Sequence, residues 1–353
     1  MVNMNTSTRT HPVMNRLSSR FAILAGLPIL ATILAAFLAA FPAEASASHP
    51  GAEEFARKLA DEDGLDIEYV RRAIGNAEFQ QSIIDAITRP AESKPWHEYR
   101  KIFVRDTRID GGVEFWRANR ALIERVAAEF RVPAEVILAI VGVETNYGLN
   151  TGSYRVLDAL VTLGFYYPKR GAFFSRELAQ YFHLSREESL PLEEIKGSYA
   201  GAMGLGQFIP SSYRAYAVDF DQSGSRDLWR SLPDALGSVA NYLKVHGWND
   251  QLPTVLPVAA VPEDLDETFK PKPQHTLGEL QAMGIEFDPA GLARETPATL
   301  VELEGTQGPE YWIGLNNFYV ITRYNRSPLY AMAVTQLADE LVARARRELA
   351  LAD

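Results

Sequence analysis

The apolar positions change period along the chain, and the changes mark out its parts. From residue 51 to about 130 they fall at helical spacing, with Ile83, Ile84 and Ile87 in one segment and Ala121, Val126 and Phe130 in a later one, so this stretch is expected to be mostly helical. Arg131-Val132-Pro133 interrupts it. Proline suits the first turn of a new helix, which places the next one from Pro133 to about Asn146, with Gly148 near its end. Further helices are expected over 173–188 and 210–217. The segment 233–246 is the clearest: Pro233 at its start, a stripe of Leu236, Val239, Ala240 and Leu243, and Gly247 beyond its end.

Between residues 251 and 308 the texture shifts to prolines and short apolar runs with poor helical periodicity. Residues 299–304, 311–315 and 318–322 alternate as strands do. Ser327-Pro328 then opens a long terminal helix carrying Met332, Val334, Leu337 and Leu341. The pattern predicts a mainly α protein of the α+β class: an N-terminal helical subdomain over 48–130, a core over 131–250, a small β insertion over 251–308, and a return to the core with a terminal helix over 309–353.

The first 47 residues read differently. Arg9, Arg16 and Arg20 precede an apolar run over 21–41, and Ala43-Glu44-Ala45 and Ala45-Ser46-Ala47 both fit a small-x-small cleavage site, the order of an export signal. A run of about twenty apolar residues could also stay in the bilayer as an anchor. Either way the folded part is expected outside the cytoplasm, in the periplasm. The chain has no cysteine, which excludes disulfides, thiolate metal sites, a cysteine nucleophile and a lipid-modified N-terminal Cys. With 353 residues, 47% of them hydrophobic, it can bury a sizeable core, and a net charge of −10 without a block of Lys and Arg argues against a nucleic-acid partner. The six histidines form no i, i+4 pair for a zinc helix, and no Gly-x-Ser-x-Gly elbow occurs.

Glu144 stands out against this background. On a helix starting at Pro133, Ile137, Ile140, Val141 and Glu144 are i, i+3, i+4 and i+7, so a carboxylate extends the core-facing stripe. Taking a lone carboxylate out of water favours its protonated form, the condition for a general acid near neutral pH. An ion pair with an arginine at a helix end would account for the same residue. A second concentration lies at 196–211, where four glycines fall within the ten residues 197–206, beside Ser198 and Gln207. Such glycines bring backbone close to a bound ligand or to another part of the fold. The order matches neither a dinucleotide fingerprint nor a phosphate loop.

Together, Glu144-Thr145-x-x-Gly148, Tyr167-Pro168-Lys169-Arg170, "KGSYAGAMGLGQFIPSSY" and "GSVANYLKVHGW" closely resemble the lytic murein transglycosylase B family, glycoside hydrolase family 103. The resemblance runs over residues 96–247 and resumes at Arg323-Tyr324-Asn325. It implies a lysozyme-like catalytic core and peptidoglycan strands as substrate, cut between N-acetylmuramic acid and N-acetylglucosamine with a 1,6-anhydro product. It also implies Glu144 as the single acid/base, with no cofactor for catalysis. By the same resemblance Ser198 and Gln207 lie beside that Glu, Tyr324 and Asn325 contact the reacting sugar, and Tyr99, Tyr242 and Tyr330 are groove aromatics, core packing being the other reading of Tyr242 and Tyr330. Lys169-Arg170 stands where the family often has two arginines near the peptide stem or the lactyl carboxylate, which suggests Arg170 as a substrate contact. Lysine keeps the charge there without the bidentate fork, which leaves the stem-peptide preference open. The alternatives are a muramidase that adds water, and a non-catalytic glycan-binding scaffold that positions other wall enzymes. A monomer is expected, with other cell-wall enzymes as candidate partners.

The segment from Asp219 to Asp227 places oxygen-bearing side chains at positions 1, 3, 5 and 9 of an EF-hand-like loop, with Gly224 at position 6. Arg230 replaces the bidentate Glu of position 12. The family has a metal loop here in which a following Asp reaches back, which suggests Asp219, Asp221, Ser223, Ser225 and Asp234 as ligands of a structural calcium ion. An Asx-rich surface turn without an ion is the plain alternative.

Overall fold

The computed structural model describes residues 49–89, 93–265 and 270–350. The leader, with its basic start and cleavage sites, lies outside the described residues, and no described helix is long and apolar enough to cross a membrane. The chain opens with α1 (Ala52–Asp63), α2 (Ile67–Gly75), α3 (Gln81–Ile87), α4 (Trp96–Phe103), α5 (Asp106–Ala118) and α6 (Arg120–Phe130), as the helical spacing of that stretch predicts. The next helix, α7 (Ala134–Thr145), starts directly after Pro133 and ends at Asn146 in the left-handed conformation. Residues 136–143 are all buried, so α7 is a central element with no solvent face over those two turns.

After α7 come β1 (Tyr154–Arg155), α8 (Val156–Tyr166), α9 (Gly171–Glu187), β2 (Lys196–Gly197), α10 (Pro210–Tyr216) and α11 (Leu232–Val245). Helix α11 has proline in its first turn, and the Ser231 hydroxyl accepts from the Asp234 amide, so the start read from Pro233 holds to within a residue. Strands β1 and β2 pair antiparallel, Tyr154 opposite Gly197, which draws the glycine-rich block onto the chain that follows α7.

The insertion follows: β3 (Val255–Ala260), β4 (His275–Thr276), α12 (Leu277–Ala282), β5 (Glu286–Phe287), β6 (Pro297–Glu304) and β7 (Pro309–Gly314), in one antiparallel sheet of order β4-β6-β7-β3-β5. The sheet thus continues past residue 308, because β7 pairs along its whole length with residues 299–304 of β6. Alternation along β6 sorts its side chains: Val301 and Leu303 join the main helical core, while Ala298 and Leu300 pack with Leu277, Leu280 and Ile313 in a smaller core of the insertion.

Residues 318–322, expected as a strand, lie instead in helix α13 (Asn316–Tyr324). The alternation of Phe318, Val320 and Thr322 over five residues fits both periods, and tertiary contacts decide between them. Asn317 is fully buried, donates to the Asn249 and Leu252 carbonyls and accepts from the Asn249 amide, which pins the first turn. Phe318 and Ile321, three apart, then share the core. The chain ends in α14 (Pro328–Ala350), whose Met332, Val334, Leu337 and Leu341 are completely buried and which packs along α7.

Gly152 shows how tightly the turn after α7 is held. Its φ is +95°, and a Cβ there would stand 2.1 Å from the Gly197 carbonyl. Gly152→Ala combines left-handed strain with a backbone clash, and is expected to cost about 2–4 kcal/mol. Thermal unfolding followed by circular dichroism should show Tm lowered by several degrees; an unchanged Tm would mean this approach is not close in solution.

Candidate active site

Glu144 occupies the last turn of α7, half-buried, at the edge where the apolar run stops. The Tyr330 hydroxyl, on the first turns of α14, donates to its Oε1 at 2.5 Å. Tyr330 is itself buried, so that of its two readings, groove aromatic and core packing, the second is the one its ring fits. The Tyr324 ring lies parallel to that of Tyr330 at 6.5 Å between centroids, and its hydroxyl donates to the Gly206 carbonyl at 2.5 Å. Burial, and next the charge of Glu144, hold both phenols well above the usual tyrosine range, so each remains a hydrogen-bond donor.

Thr145 joins the helix end to the glycine-rich block. Its side chain is 1% exposed, donates from Oγ1 to the Leu205 carbonyl at 2.9 Å and accepts from the Gly148 amide at 3.1 Å. The spacing Glu-Thr-x-x-Gly thereby acquires a reason: the threonine closes the turn that ends at the glycine and fastens the neighbouring carboxylate's helix to the loop. The glycines of the block meet the protein itself. A Cβ at Gly197 would stand 2.2 Å from the Ala202 carbonyl, one at Gly204 2.6 Å from the Leu228 carbonyl, and one at Gly206 2.9 Å from the Tyr324 hydroxyl. Both Ser198 and Gln207 take part in folding this loop. Ser198 Oγ accepts from the amides of Ala200 and Ala202, leaving its proton to give. Gln207 has a left-handed backbone, φ 51°, and its Nε2 donates to the Thr151 and Gly204 carbonyls, leaving the amide oxygen as an acceptor.

The remaining sequence-predicted positions divide. Asn325 follows α13, half-buried, and its Oδ1 accepts from the Ser327 amide at the entry to α14. The rings of Tyr99 and Tyr242, read as groove aromatics, belong to the core. Tyr99 is 1% exposed and packs on Trp96 and Phe103. Tyr242 packs edge-on against Tyr324 at 4.7 Å, lies against His246, and donates to the Arg323 carbonyl. They are therefore backing for Tyr324 and Tyr330 rather than open platforms, since a face already covered by side chains has none left for a sugar ring. Arg170 is exposed at the start of α9 with its guanidinium over Phe173 at 4.5 Å and Phe174 at 5.1 Å. A cavity of about 660 Å³ between α4, α14 and the β6–β7 turn, lined by Arg100, Lys101, Glu310 and Asp339 among others, includes none of the predicted site residues.

Two features escaped sequence reasoning. One is that Tyr330 holds the carboxylate directly: no local spacing links residue 144 to residue 330. The other is the Thr145 bond to Leu205, which the motif Glu144-Thr145-x-x-Gly148 pointed to without giving a cause.

The loop between α10 and α11 gathers carboxylates. Ligand atoms of Asp219, Asp221 and Asp234 all lie within 4.8 Å of one another. Asp234 is fully buried; its Oδ1 accepts from the Phe220 and Asp221 amides and its Oδ2 from that of Asp227, so it does reach back across the loop. Asp219 accepts from the Ser223 and Gly224 amides. Hydrogen bonds from Ser231, then Ser223, hold the Asp221 carboxyl below the usual range. Ser223 gives its hydroxyl proton to the Ser225 carbonyl. Three convergent carboxylates with hydroxyl and carbonyl oxygens close by are a donor set suited to a hard divalent cation such as calcium.

Comparison with known proteins agrees with this geometry. Residues 47–339 match the Transglycosylase SLT domain family. The chain is 40% identical over 312 residues to the membrane-bound lytic murein transglycosylase B of Escherichia coli (strain K12), covering 85% of this chain and 84% of that protein. Among solved structures it is similar to the soluble lytic transglycosylase SltB1 of Pseudomonas aeruginosa, with a TM-score of 0.76, 48% identity and coverage of 84% of this chain and 99% of that one. It is likewise similar to the Escherichia coli lytic transglycosylase Slt35 in complex with calcium, with a TM-score of 0.77, 38% identity and coverage of 85% and 95%. With its fold and nearly the whole of its described length matched in these comparisons, the chain belongs to the SLT-domain family of lytic murein transglycosylases.

Proposed function

We propose that this protein cleaves the β-1,4 bond between N-acetylmuramic acid and N-acetylglucosamine in peptidoglycan outside the cytoplasm, with Glu144 as the single acid and then base. The observation that carries this reading is the setting of Glu144: a half-buried carboxylate bound by the Tyr330 hydroxyl, with the phenol of Tyr324 and the Thr145-anchored loop beside it. Ordinary retaining or inverting glycosidases flank the bond with two carboxylates about 5–10 Å apart. The acid whose charge bears on both Tyr324 and Tyr330 is Glu144. In the proposed step Glu144 gives its proton to the glycosidic oxygen, and the C1–O bond breaks with N-acetylglucosamine leaving as its 4-hydroxyl. The substrate's N-acetyl group covers C1 until the muramyl 6-hydroxyl attacks it. That hydroxyl's proton returns to Glu144, and no water is consumed.

Ser198, Gln207, Tyr324 and Asn325 supply the hydrogen bonds to the reacting sugars, with Arg170 toward the peptide stem. Tyr330 aims the carboxylate. The N-terminal 47 residues serve as an export leader or anchor. Asp219, Asp221 and Asp234, with Ser223 and Ser225, would hold a calcium ion, which supplies a cross-link between the loop and α11 and takes no part in catalysis.

Glu144→Gln is expected to abolish turnover of sacculi with little change in Tm or glycan binding, and wild-type products analysed by mass should be one water lighter than hydrolysis products. Turnover by Glu144→Gln would remove the assignment, and products of hydrolytic mass would make the protein a muramidase. Tyr330→Phe, which keeps the ring and loses the donor, is expected to lower kcat about tenfold, in line with about 1.5 kcal/mol for a hydrogen bond to a charged group; equal rates would show that the contact does not matter. Calcium at about a hundred times its Kd should stabilise the fold by about 2.7 kcal/mol, read as a rise in Tm that Asp219→Asn together with Asp221→Asn removes. No rise in the wild type would leave the loop as an Asx turn.

A further inference from the structure

The end of α7 closes on its own hydrogen bonds, the Asn146 and Tyr147 amides donating to the Gly142 and Val141 carbonyls, and does so through three successive left-handed residues. Asn146, Tyr147 and Gly148 are all left-handed, with φ of 51°, 59° and 90°. Glycine accepts this freely and asparagine more readily than most, but Tyr147 costs about 1–2 kcal/mol there and persists only where neighbouring contacts over-determine it. Two contacts do so. The Tyr147 phenol folds back beneath its own helix into space left by two glycines: its oxygen lies 2.6 Å from where a Cβ on Gly142 of α7 would stand and 2.3 Å from one on Gly112 of α5. That oxygen is buried without a hydrogen-bond partner, so the ring is wedged by shape alone.

The second contact is Arg108 of α5. It is 8% exposed, its Nε donates to Asn146 Oδ1 at 3.2 Å, another guanidinium nitrogen donates to the Ile102 carbonyl at 3.0 Å, and the group lies over the Phe103 ring. Both oxygens are neutral. Burying a guanidinium against neutral acceptors is costly, and burial accordingly pushes the Arg108 pKa down. A core helix pair could be held by apolar packing at less expense. What this arrangement adds is direction: a fixed donor reads one amide oxygen two residues beyond Glu144.

We propose that Arg108 and Asn146 are a positioning pair for the reaction, fixing the final turn of α7 and with it the reach of the Glu144 carboxylate toward the glycosidic oxygen. The inference rests on the assignment of Glu144 as the acid. Neither residue touches substrate; they act through the helix end. A carboxylate that must meet both Tyr330 and a bridging oxygen tolerates little displacement, and a shift of about 1 Å can cost about a hundredfold in rate.

The pair can be broken without breaking the fold. Asn146→Gly suits the left-handed backbone and removes the acceptor; Asn146→Asp keeps an acceptor oxygen in place. We expect Asn146→Gly to keep Tm within about 2 °C of wild type and KM for glycan strands within about twofold, while kcat falls about tenfold or more. Asn146→Asp should restore most of that rate. Wild-type kcat in Asn146→Gly, or equal loss in both variants, would overturn the proposal. Glu144→Gln measured alongside separates the two claims: if it is inactive while Asn146→Gly is fully active, only the positioning role fails, and if it turns over, the assignment of the acid fails.

Discussion

The hydrogen bond from Tyr330 to Glu144 is the contact on which the arrangement turns, and it exists because two helices run antiparallel along their lengths. Residues 136–143 leave α7 no polar face, so the helix cannot rotate to release its acid into water without exposing core side chains. The direction of Glu144 is therefore dictated by apolar burial, and the compensation must come from whatever lies across the interface. Helix α14 supplies it. Nine residues before Glu144 stands Glu135, and nine residues after Tyr330 stands Asp339, whose carboxyl is raised by burial and by the charge of Glu135. The same offset of about 14 Å along both helices brings a phenol to the acid at one end and two carboxylates together at the other. Only the first end is built to hold a charge with a donor.

Around this contact the fold adds backing in layers. Tyr324 lies parallel to Tyr330, Tyr242 packs on Tyr324, and Tyr242 sits two turns along α11 from Asp234, the fully buried carboxylate that gathers three loop amides. The carboxylate-rich loop and the acid are thus connected through one rigid helix and a stack of aromatic rings. An ion at that loop would act on the site by stiffening α11 rather than by any chemistry of its own.

Much of this was legible in the sequence where the controlling interactions are local. Proline at a helix start and a left-handed residue at its end fixed α7 and α11 to within a residue or two, and the loop carboxylates Asp219 and Asp221 lie close enough in the chain for spacing to bring them together. Where the interaction is long-range, local pattern misled. Residues 318–322 alternate like a strand, yet the hydrogen bonds of Asn317 to residues 249 and 252 make them a helix. Tyr99 and Tyr242, groove aromatics by the resemblance, are covered by neighbours that only the fold brings in, Tyr242 as its core-packing reading has it. Tyr330 and Arg108 have their partners 186 and 38 residues away, distances at which no periodicity speaks.

The aromatic surroundings also bear on how one acid could serve twice. In the proposed reaction Glu144 must lose a proton and recover it within one turnover, and any neighbour that titrated in the same range could divert it. Burial and the carboxylate's own charge both push Tyr324 and Tyr330 upward, so the more firmly Glu144 is ionised, the more firmly these phenols keep their protons. The hydroxyl of Thr145, next along the helix, does not titrate. Neither phenol then competes for the proton that Glu144 exchanges with the two substrate oxygens, one condition under which a single carboxylate can replace the usual pair.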